Sequence, residues 1–346
     1  MKKWFLVVVL LICTAMPVNA EEYTAPVAPD SAEELMPVQR ASFGEDLWYI
    51  VKSAISKLEP DLAQAGGSCL TVMAAVMLTS LLDTFPGITK SVTELAAGVI
   101  TATLLLGSAN SLIHLAADTV RQMSDYGKIL LPVMTSAMAA QGGITGSTAL
   151  YTGTAAFDAL LSSMIASLLI PMVYIYLALA TANGALGEDL MKKLRDFVKW
   201  LVTWSLKTIL YVFTGYMTIT NVVSGTADQA AVKAAKLTIS GAVPVVGGIL
   251  SDASEAILVS AGVIRNAAGI YGLLAVIAIV IEPFLRIGVH YLLLKLTGSV
   301  CGVFAGKKIS ELINDFSAAM GLLLAMTGTV CLLLLISTVC FFKGVG

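Results

Sequence analysis

The hydrophobic positions of this chain fall into long, nearly uninterrupted runs. Because the hydrocarbon core of a bilayer is about 30 Å thick, a helix that crosses it needs roughly 20 consecutive apolar residues. Seven runs meet or approach that length: Gly66–Leu82, Leu95–Ala116, Ala156–Ala182, Trp200–Val223, Ile257–Ile281, Phe284–Ala305 and Ala318–Phe342. The pattern therefore predicts an all-α fold, a polytopic transmembrane helical bundle of about seven spans.

Two shorter apolar stretches do not fit this length, Ile129–Ala140 and Leu237–Leu250. The first contains Pro132, and the second contains Pro244 followed by Gly247 and Gly248. Each is either a re-entrant half-helix or an irregular full span, because non-helical backbone is tolerated at membrane depth only inside protein or beside a cavity. If only one of them spans, every later loop changes side.

The N-terminus has the three parts of a secretory signal peptide. Met1–Lys3 is basic, Trp4–Ile12 is apolar, and Val18–Ala20 places small residues before a cleavage site. The pattern predicts that residues 1–20 are removed, with an uncleaved anchor as the alternative. Residues 21–62 form an acidic, translocated segment that is expected to be disordered up to about residue 43 and then to form a short helix. Residues 63–346 form the membrane domain.

Composition agrees with a membrane protein and excludes nucleic-acid binding. The chain is 57% hydrophobic and 13% charged, whereas soluble domains carry about 25% charged residues. Its net charge is only −2, and no block of Lys and Arg suited to a phosphate backbone occurs. The mature cysteines, Cys69, Cys301, Cys331 and Cys340, are far apart in sequence, which favours buried thiols over a metal site or a disulfide framework.

The basic residues predict an orientation. The densest basic cluster of the mature chain lies in the connector 187–199, at Lys192, Lys193, Arg195 and Lys199. The positive-inside rule puts this connector in the cytoplasm. Counting seven spans from a translocated N-terminus gives the same answer and leaves Lys343 inside as well. Lys307 and Lys308 then fall on the opposite side, which disagrees with the rule.

A weak internal repeat is visible. Pro132 and Pro171 are 39 residues apart, and so are Pro244 and Pro283. The stretch 187–197 resembles 306–316, because both begin with Gly, place apolar residues at +3 and +7, and end in Asp-Phe. Duplication and chance both stay open. If duplication is real, paired broken helices are how some transporters form a binding site near the bilayer midplane.

Polar residues inside or beside the predicted spans are candidates for a polar path or gate. A charge at bilayer depth costs roughly 2.5–3.5 kcal/mol on insertion scales, so it normally faces a bundle interior or water. The candidates are Lys207, Arg265, Asn266, Glu282, Arg286 and His290. Glu282 and Arg286 have the i,i+4 spacing of a helical ion pair. The alternative is that these residues pin helices together or lie in loops.

Small residues and absent motifs complete the picture. Gly298, Gly302 and Gly306 lie on one helix face and predict a helix-packing or oligomer contact. The chain contains no HExxH, no G-x-S-x-G and no GxxxxGK[ST]. We therefore predict no enzymatic activity, no catalytic residues, no metal and no cofactor. Energy for any transport has to come from a gradient or from a partner ATPase.

Two segments carry a resemblance to a known family. The stretch 239–255, Ile-Ser-Gly-Ala-Val-Pro-Val-Val-Gly-Gly-Ile-Leu-Ser-Asp-Ala-Ser-Glu, and the stretch 265–272, Arg-Asn-Ala-Ala-Gly-Ile-Tyr-Gly, resemble the stage III sporulation protein AE family of endospore-forming Firmicutes. The likeness extends to the signal peptide, the acidic segment and the polytopic remainder.

The resemblance implies a multi-pass protein of the mother-cell membrane that surrounds the forespore. It implies partners: other membrane proteins of a channel complex, a secretion-type ATPase, ring-forming proteins and a forespore-side protein. Within that complex the family is similar to a permease or export-gate core needed for late forespore gene expression. No catalytic residue is implied. The alternatives are a stand-alone, gradient-driven secondary transporter and a non-conducting membrane scaffold.

Overall fold

A computed structural model describes residues 27–37, 42–82, 90–140, 144–186, 189–219, 267–304 and 306–343. The predicted signal peptide lies outside the described residues. So do the stretch Leu237–Leu250 with Pro244, Gly247 and Gly248, and the candidates Arg265 and Asn266. Of the two stretches that carry the family resemblance, 239–255 and 265–272, only residues 267–272 are described, and they are helical.

The described residues are almost entirely helical, and no strand occurs among them. The all-α prediction is confirmed. The α-helices are α1 (Asp30–Glu33), α2 (Phe43–Lys57), α3 (Glu59–Leu82), α4 (Lys90–Ala140), α5 (Ile144–Met164), α6 (Ile170–Leu186), α7 (Asp189–Ile219), α8 (Ala267–Phe304) and α9 (Lys307–Lys343). A five-residue π-helix, Ile165–Leu169, joins α5 to α6.

The segment before the membrane domain is more ordered than expected. Residues 27–36, predicted to be disordered, are packed on α8, and Ala32 and Leu35 are fully buried. The reason is an apolar face at i, i+4 and i+7 (Ala28, Ala32, Leu35), which the acidic, Pro-rich composition obscures. Helix α2 starts at Phe43 because Ser42 and Glu45 form a capping box.

Five helical segments are long and apolar enough to cross a membrane: Glu59–Leu82, Val92–Ser136, Tyr151–Ala185, Gly269–Phe304 and Lys307–Phe341. The predicted span Trp200–Val223 is helical up to Ile219 but does not belong to this group. Its apolar face consists of Trp, Tyr and Phe mixed with Thr and Lys207, so its hydropathy is low. Helix α7 nevertheless runs beside α6 for much of its length.

Two prolines that were expected to interrupt helices do not end them. Pro283 lies inside the 38-residue helix α8, so the predicted spans Ile257–Ile281 and Phe284–Ala305 are not separate; their described parts form one helix. Pro132 lies inside the 51-residue helix α4, so Ile129–Ala140 continues that helix rather than re-entering the membrane. An interior proline costs about 3 kcal/mol. Packing offsets this cost, because Leu130 and Leu131 beside Pro132 are buried.

Pro171 is accommodated differently. In a regular α-helix its ring would clash with the carbonyl of Ser167, four residues earlier. The π-helix Ile165–Leu169 widens the helix at this point, and Ile170 N–H donates to the Ile165 carbonyl across the wider turn. Single π turns of this kind are common at functional sites.

The helices define two ends of the bundle. Lys192 Nζ on α7 lies 3.2 Å from Glu311 Oε1 on α9, and Lys308 Nζ lies 3.0 Å from Glu94 Oε2 on α4. The starts of α4, α7 and α9 therefore meet at one end, which we call the basic end. The start of α8 and the end of α9 form the opposite end. Asp61 on α3 pairs with Arg286 midway along α8, 18 residues or about 27 Å from Phe304.

This arrangement corrects the predicted topology. Lys307 and Lys308 lie at the same end as Lys192 and Lys193, not on the opposite side, because the chain between residues 267 and 304 crosses the bundle once rather than twice. Helix α9 then runs from the basic end to the opposite end, so the prediction that Lys343 lies on the same side as the connector 187–199 is wrong. The disagreement of Lys307 and Lys308 with the positive-inside rule disappears.

Labelling of introduced cysteines tests this topology. We expect Lys193→Cys and Lys307→Cys to respond alike to a membrane-impermeant maleimide in intact cells, and Ser42→Cys to respond oppositely. The four described native cysteines are buried and reduced, so the unsubstituted chain serves as the background control. Opposite labelling of positions 193 and 307 would restore the seven-span arrangement.

Helix α9 is the centre of the bundle. Almost every described residue from Ala319 to Phe341 is buried, and α9 packs against α4, α5, α6, α7 and α8. Helices α3 and α7 lie at the periphery and expose large apolar side chains, including Leu70, Leu78, Trp200 and Trp204. A central helix this apolar is expected where the surrounding helices replace lipid.

A close backbone contact joins α4 to α6. A Cβ at Gly98 would lie 3.0 Å from the carbonyl oxygen of Gly184 and 3.6 Å from Ala185 Cα. Because these are backbone atoms, they cannot move without displacing a helix. We expect Gly98→Ala to lower the free energy of unfolding by about 1–3 kcal/mol, as overpacking does.

The matched control is Gly107→Ala in the same helix, where nothing lies within 4 Å of a new Cβ. There the substitution is expected to be neutral or to stabilise the helix by roughly 0.5–1 kcal/mol. Thermal unfolding of the purified chain in detergent compares the two. Equal midpoints would show that α4 and α6 are not in contact at Gly98.

Candidate functional site

A buried ion-pair cluster lies two turns inside the basic end. Arg195 on α7 donates through Nη1 to Asp315 Oδ2 on α9. The Tyr176 hydroxyl on α6 donates to Asp315 Oδ1 at 3.2 Å. Arg195 also donates to Asp196 Oδ1, at 3.1 Å from Nε and 2.9 Å from Nη2. We call these four residues the Arg195 cluster.

Burial makes this cluster costly to disturb. The side chains of Arg195 and Asp315 are only 7% and 12% exposed. A buried charge needs both a partner and hydrogen bonds to offset its lost hydration. Charge-assisted bonds from one guanidinium to two carboxylates meet this need. The cluster therefore fixes α6, α7 and α9 relative to one another.

The cluster connects the two copies of the sequence repeat. Lys192 and Glu311 both occupy position +5 after the glycine, and they pair at 3.2 Å. Asp196 and Asp315 both occupy position +9, and both accept from Arg195. The two copies begin at the same end and run in the same direction. If they descend from a duplication, it is a parallel one and not the inverted kind.

A second polar group joins the start of α3 to the middle of α8. Arg286 Nη2 donates to Asp61 Oδ1, and His290 Nδ1 donates to the Arg286 carbonyl at 2.9 Å. We call Asp61, Arg286 and His290 the α3–α8 polar row. Glu282 lies one turn before Arg286 but does not pair with it. The predicted Glu282–Arg286 ion pair does not form, because Arg286 faces α3 and pairs there with Asp61.

The polar row leads into a small cavity. His290 lines it together with Ser68 and Cys69 of α3, Ser108 of α4 and Phe316 of α9. Its volume is about 20 Å³, which is room for roughly one water molecule. Its lining is almost wholly apolar, because the Ser68 hydroxyl and His290 Nδ1 donate to carbonyls of their own helices. The polar row therefore ends at His290.

The structure does not bring all the predicted path residues together. Arg286 and His290 belong to one row and Glu282 lies beside it. Lys207 is exposed on α7, away from this row. Arg265 and Asn266 lie outside the described residues. The sequence could not locate Asp61, because a carboxylate just before an apolar run is equally typical of a loop.

The predicted packing glycines differ from one another. A Cβ at Gly298 would lie 3.0 Å from Asn314 Nδ2, and one at Gly302 would lie 3.1 Å from Ser310 Oγ. Ser310 also donates to the Gly298 carbonyl at 2.8 Å. At these positions α8 and α9 approach closely. Gly306, in the connection between them, has nothing within 4 Å of a Cβ position.

One buried charge was missed by the sequence analysis. Asp158 on α5 is 3% exposed, and Ser124 on α4 donates to its Oδ2 at 3.2 Å. A signal existed, because Asp158 is the single charged residue of the predicted span Ala156–Ala182.

Comparison with known proteins shows which family the chain belongs to. The sequence model for stage III sporulation protein AE matches residues 36–343, which includes α2 through α9. The chain belongs to the stage III sporulation protein AE family. The family resemblance seen in the sequence is thereby confirmed.

A curated relative agrees with this assignment. Stage III sporulation protein AE of Bacillus subtilis (strain 168) is 18% identical over 275 residues, which cover 79% of this chain and 68% of the relative. No solved structure matches the chain. Membership of the stage III sporulation protein AE family assigns the chain to sporulation, and its apolar helices make it a membrane protein.

Proposed function

We propose that this chain is the membrane-embedded core, permease-like or export-gate-like, of a multi-protein channel between mother cell and forespore. The family match across residues 36–343 carries the proposal, because it covers the membrane domain rather than a short motif. In this role the chain supports late gene expression in the forespore. It acts with other membrane proteins and a partner ATPase.

The geometry of the bundle supports a core subunit. Its central helix is surrounded by protein. A buried ion pair ties α7 to this helix, and a partly exposed ion pair ties α3 to α8. Helix α7 exposes a stacked aromatic row, Phe197, Trp200 and Trp204, with neighbouring ring centroids 5.9 Å apart. Large rigid aromatics of this kind suit contact with lipid headgroups or with partner proteins.

The distribution of charge supports an orientation. The basic end carries Lys192, Lys193, Lys199, Lys307 and Lys308, which favours the mother-cell cytoplasm. Helices α1 and α2 then lie in the space between the two forespore membranes. A cytoplasmic ATPase would meet the basic end, and a forespore-side partner would meet the opposite end.

The α3–α8 polar row is our candidate for the gate within this subunit. It joins two helices of different exposure, since α3 is peripheral and α8 is largely buried. Arg286 is 37% exposed and Asp61 is 13% exposed. A pair of this intermediate burial can separate at lower cost than the buried Arg195 cluster.

Deletion and complementation test the proposed role. We expect deletion to block sporulation after engulfment and to abolish a late forespore-specific reporter. Expression of the chain in the mother cell alone is expected to restore both. Restoration by expression in the forespore alone would contradict the proposed location. A normal late reporter in the deletion strain would contradict the proposed function.

A further inference from the structure

Asp158 is a buried carboxylate that the proposed gate does not use. It lies seven residues into the apolar segment Tyr151–Ala185, about 10 Å along the helix at 1.5 Å per residue. Within the described part of the chain, its Oδ1 has no hydrogen-bond partner, and neither does the hydroxyl of Ser162, one turn later. An ionised carboxylate is costly to bury when one of its oxygens accepts no hydrogen bond, unless a proton or a metal cation neutralises its charge.

Among the residues that the structure describes, the surroundings of Asp158 supply oxygen ligands and no compensating charge at contact distance. Ser124 Oγ lies 3.2 Å from Oδ2, and Ser162 is on the same face of α5. The nearest charges are Asp125 and Lys128 on α4, which are exposed and pair with each other at 2.8 Å. Helix α9 packs here through Leu334, and it has no charged residue from 318 to 342.

Gly127 keeps the site compact. A Cβ at this position would lie 2.8 Å from Leu334 Cδ2 and 3.6 Å from Asp158 Oδ2. A side chain at residue 127 would therefore displace Leu334 of α9, whereas Asp158 would stay at an ordinary van der Waals distance. The π-helix Ile165–Leu169 begins three residues after Ser162, so the helix that carries the site is locally wider just beyond it. Such widened turns often accompany functional sites.

We propose that Asp158 is the anionic ligand of a site for one small monovalent cation, a proton or a sodium ion. The hydroxyls of Ser124 and Ser162 are its neutral oxygen ligands. Either cation neutralises the carboxylate and occupies the oxygen that has no partner. The site goes beyond the proposed channel role and does not depend on it.

Infrared difference spectroscopy on the purified full-length chain in lipid nanodiscs tests this site. The signal is the C=O stretching band of a protonated carboxyl group at pH about 6.5, where an ordinary carboxyl with a pKa near 4 is ionised. A band that NaCl does not change, relative to choline chloride, identifies a proton site. A band or carboxylate mode that NaCl shifts identifies a sodium site.

Variants assign the signal. Asp158→Asn, which removes the charge and keeps the shape, is expected to abolish it completely. Asp158→Glu is expected to shift it, and this variant also guards against a folding failure of the first. Asp118→Asn, which alters an exposed carboxylate on the same helix that pairs with Arg121, is the matched control and is expected to leave it unchanged. The proposal is overturned if no protonated band appears and NaCl changes no carboxylate mode, or if the signal survives Asp158→Asn.

Discussion

Replacing Asp315 with Leu is expected to lower the free energy of unfolding by about 3–5 kcal/mol, the usual cost of removing one partner from a buried ion pair. Arg195, whose side chain is 7% exposed, would keep only Asp196 as a partner. Tyr176 would lose the acceptor of its hydroxyl. Thermal or denaturant unfolding in detergent measures the loss, and accumulation in sporulating cells should fall with it.

The matched control is Glu311→Gln, one turn earlier on the same helix. Glu311 also pairs with α7, but its side chain is 33% exposed and that of Lys192 is 44% exposed. An exposed pair contributes roughly 0–1 kcal/mol, so this change is expected to be nearly silent. The double variant Arg195→Met/Asp315→Leu should recover much of the stability, because it leaves no unpaired charge. A loss for Asp315→Leu no larger than that for Glu311→Gln would refute the buried cluster.

Reversing the charge of Arg286 is expected to have the second-largest effect. Arg286→Asp places two carboxylates together between α3 and α8, and we expect the free energy of unfolding to fall by about 2–3 kcal/mol, less than for breaking a fully buried pair. This loss is smaller than at Asp315 because Arg286 is 37% exposed and solvent screens it. The exchanged pair Asp61→Arg/Arg286→Asp should restore accumulation of the chain, as measured by immunoblot of membranes.

The sporulation efficiency of the exchanged variant shows whether the Asp61–Arg286 pair is a gate or only holds the two helices together. If the α3–α8 polar row is the gate, the exchanged pair accumulates normally but sporulates at least tenfold less well than the unsubstituted chain. Full sporulation would show that the pair only holds α3 to α8. Lys207→Asp is the control, since Lys207 is exposed on α7, and it should alter neither accumulation nor sporulation.

Much of the fold could be predicted from hydrophobic run length alone. The apolar runs around α3, α4, α6 and α9 are long enough that crossing a membrane is their favoured state. The prolines were misjudged because local propensity treats a proline as a helix end. Pro132 and Pro283 lie in helices whose neighbours are buried, and packing outweighs the lost hydrogen bond. That single misjudgement at Pro283 placed the connection between α8 and α9, and the C-terminal end of α9, on the wrong sides.

The candidate site was predicted less well, for a physical reason. Arg195 was counted only as a cytoplasmic charge, yet it is buried against Asp315, 120 residues away in sequence. Arg286 was given an i,i+4 partner, yet its partner is Asp61, 225 residues away. Spacing along one helix reveals local pairs only. Which charges meet across helices depends on the rotation of each helix, which a single sequence does not specify.

The central claim is that this chain works as the core of a multi-protein assembly. Affinity purification of a tagged, sporulation-competent chain from engulfed cells, solubilised in mild detergent, tests it most directly. We expect other membrane proteins of the sporulation channel and a partner ATPase to co-purify, and a matched tagged membrane protein to recover neither. A functional chain that purifies alone and drives gradient-dependent solute flux in liposomes by itself would contradict the claim and identify a stand-alone transporter.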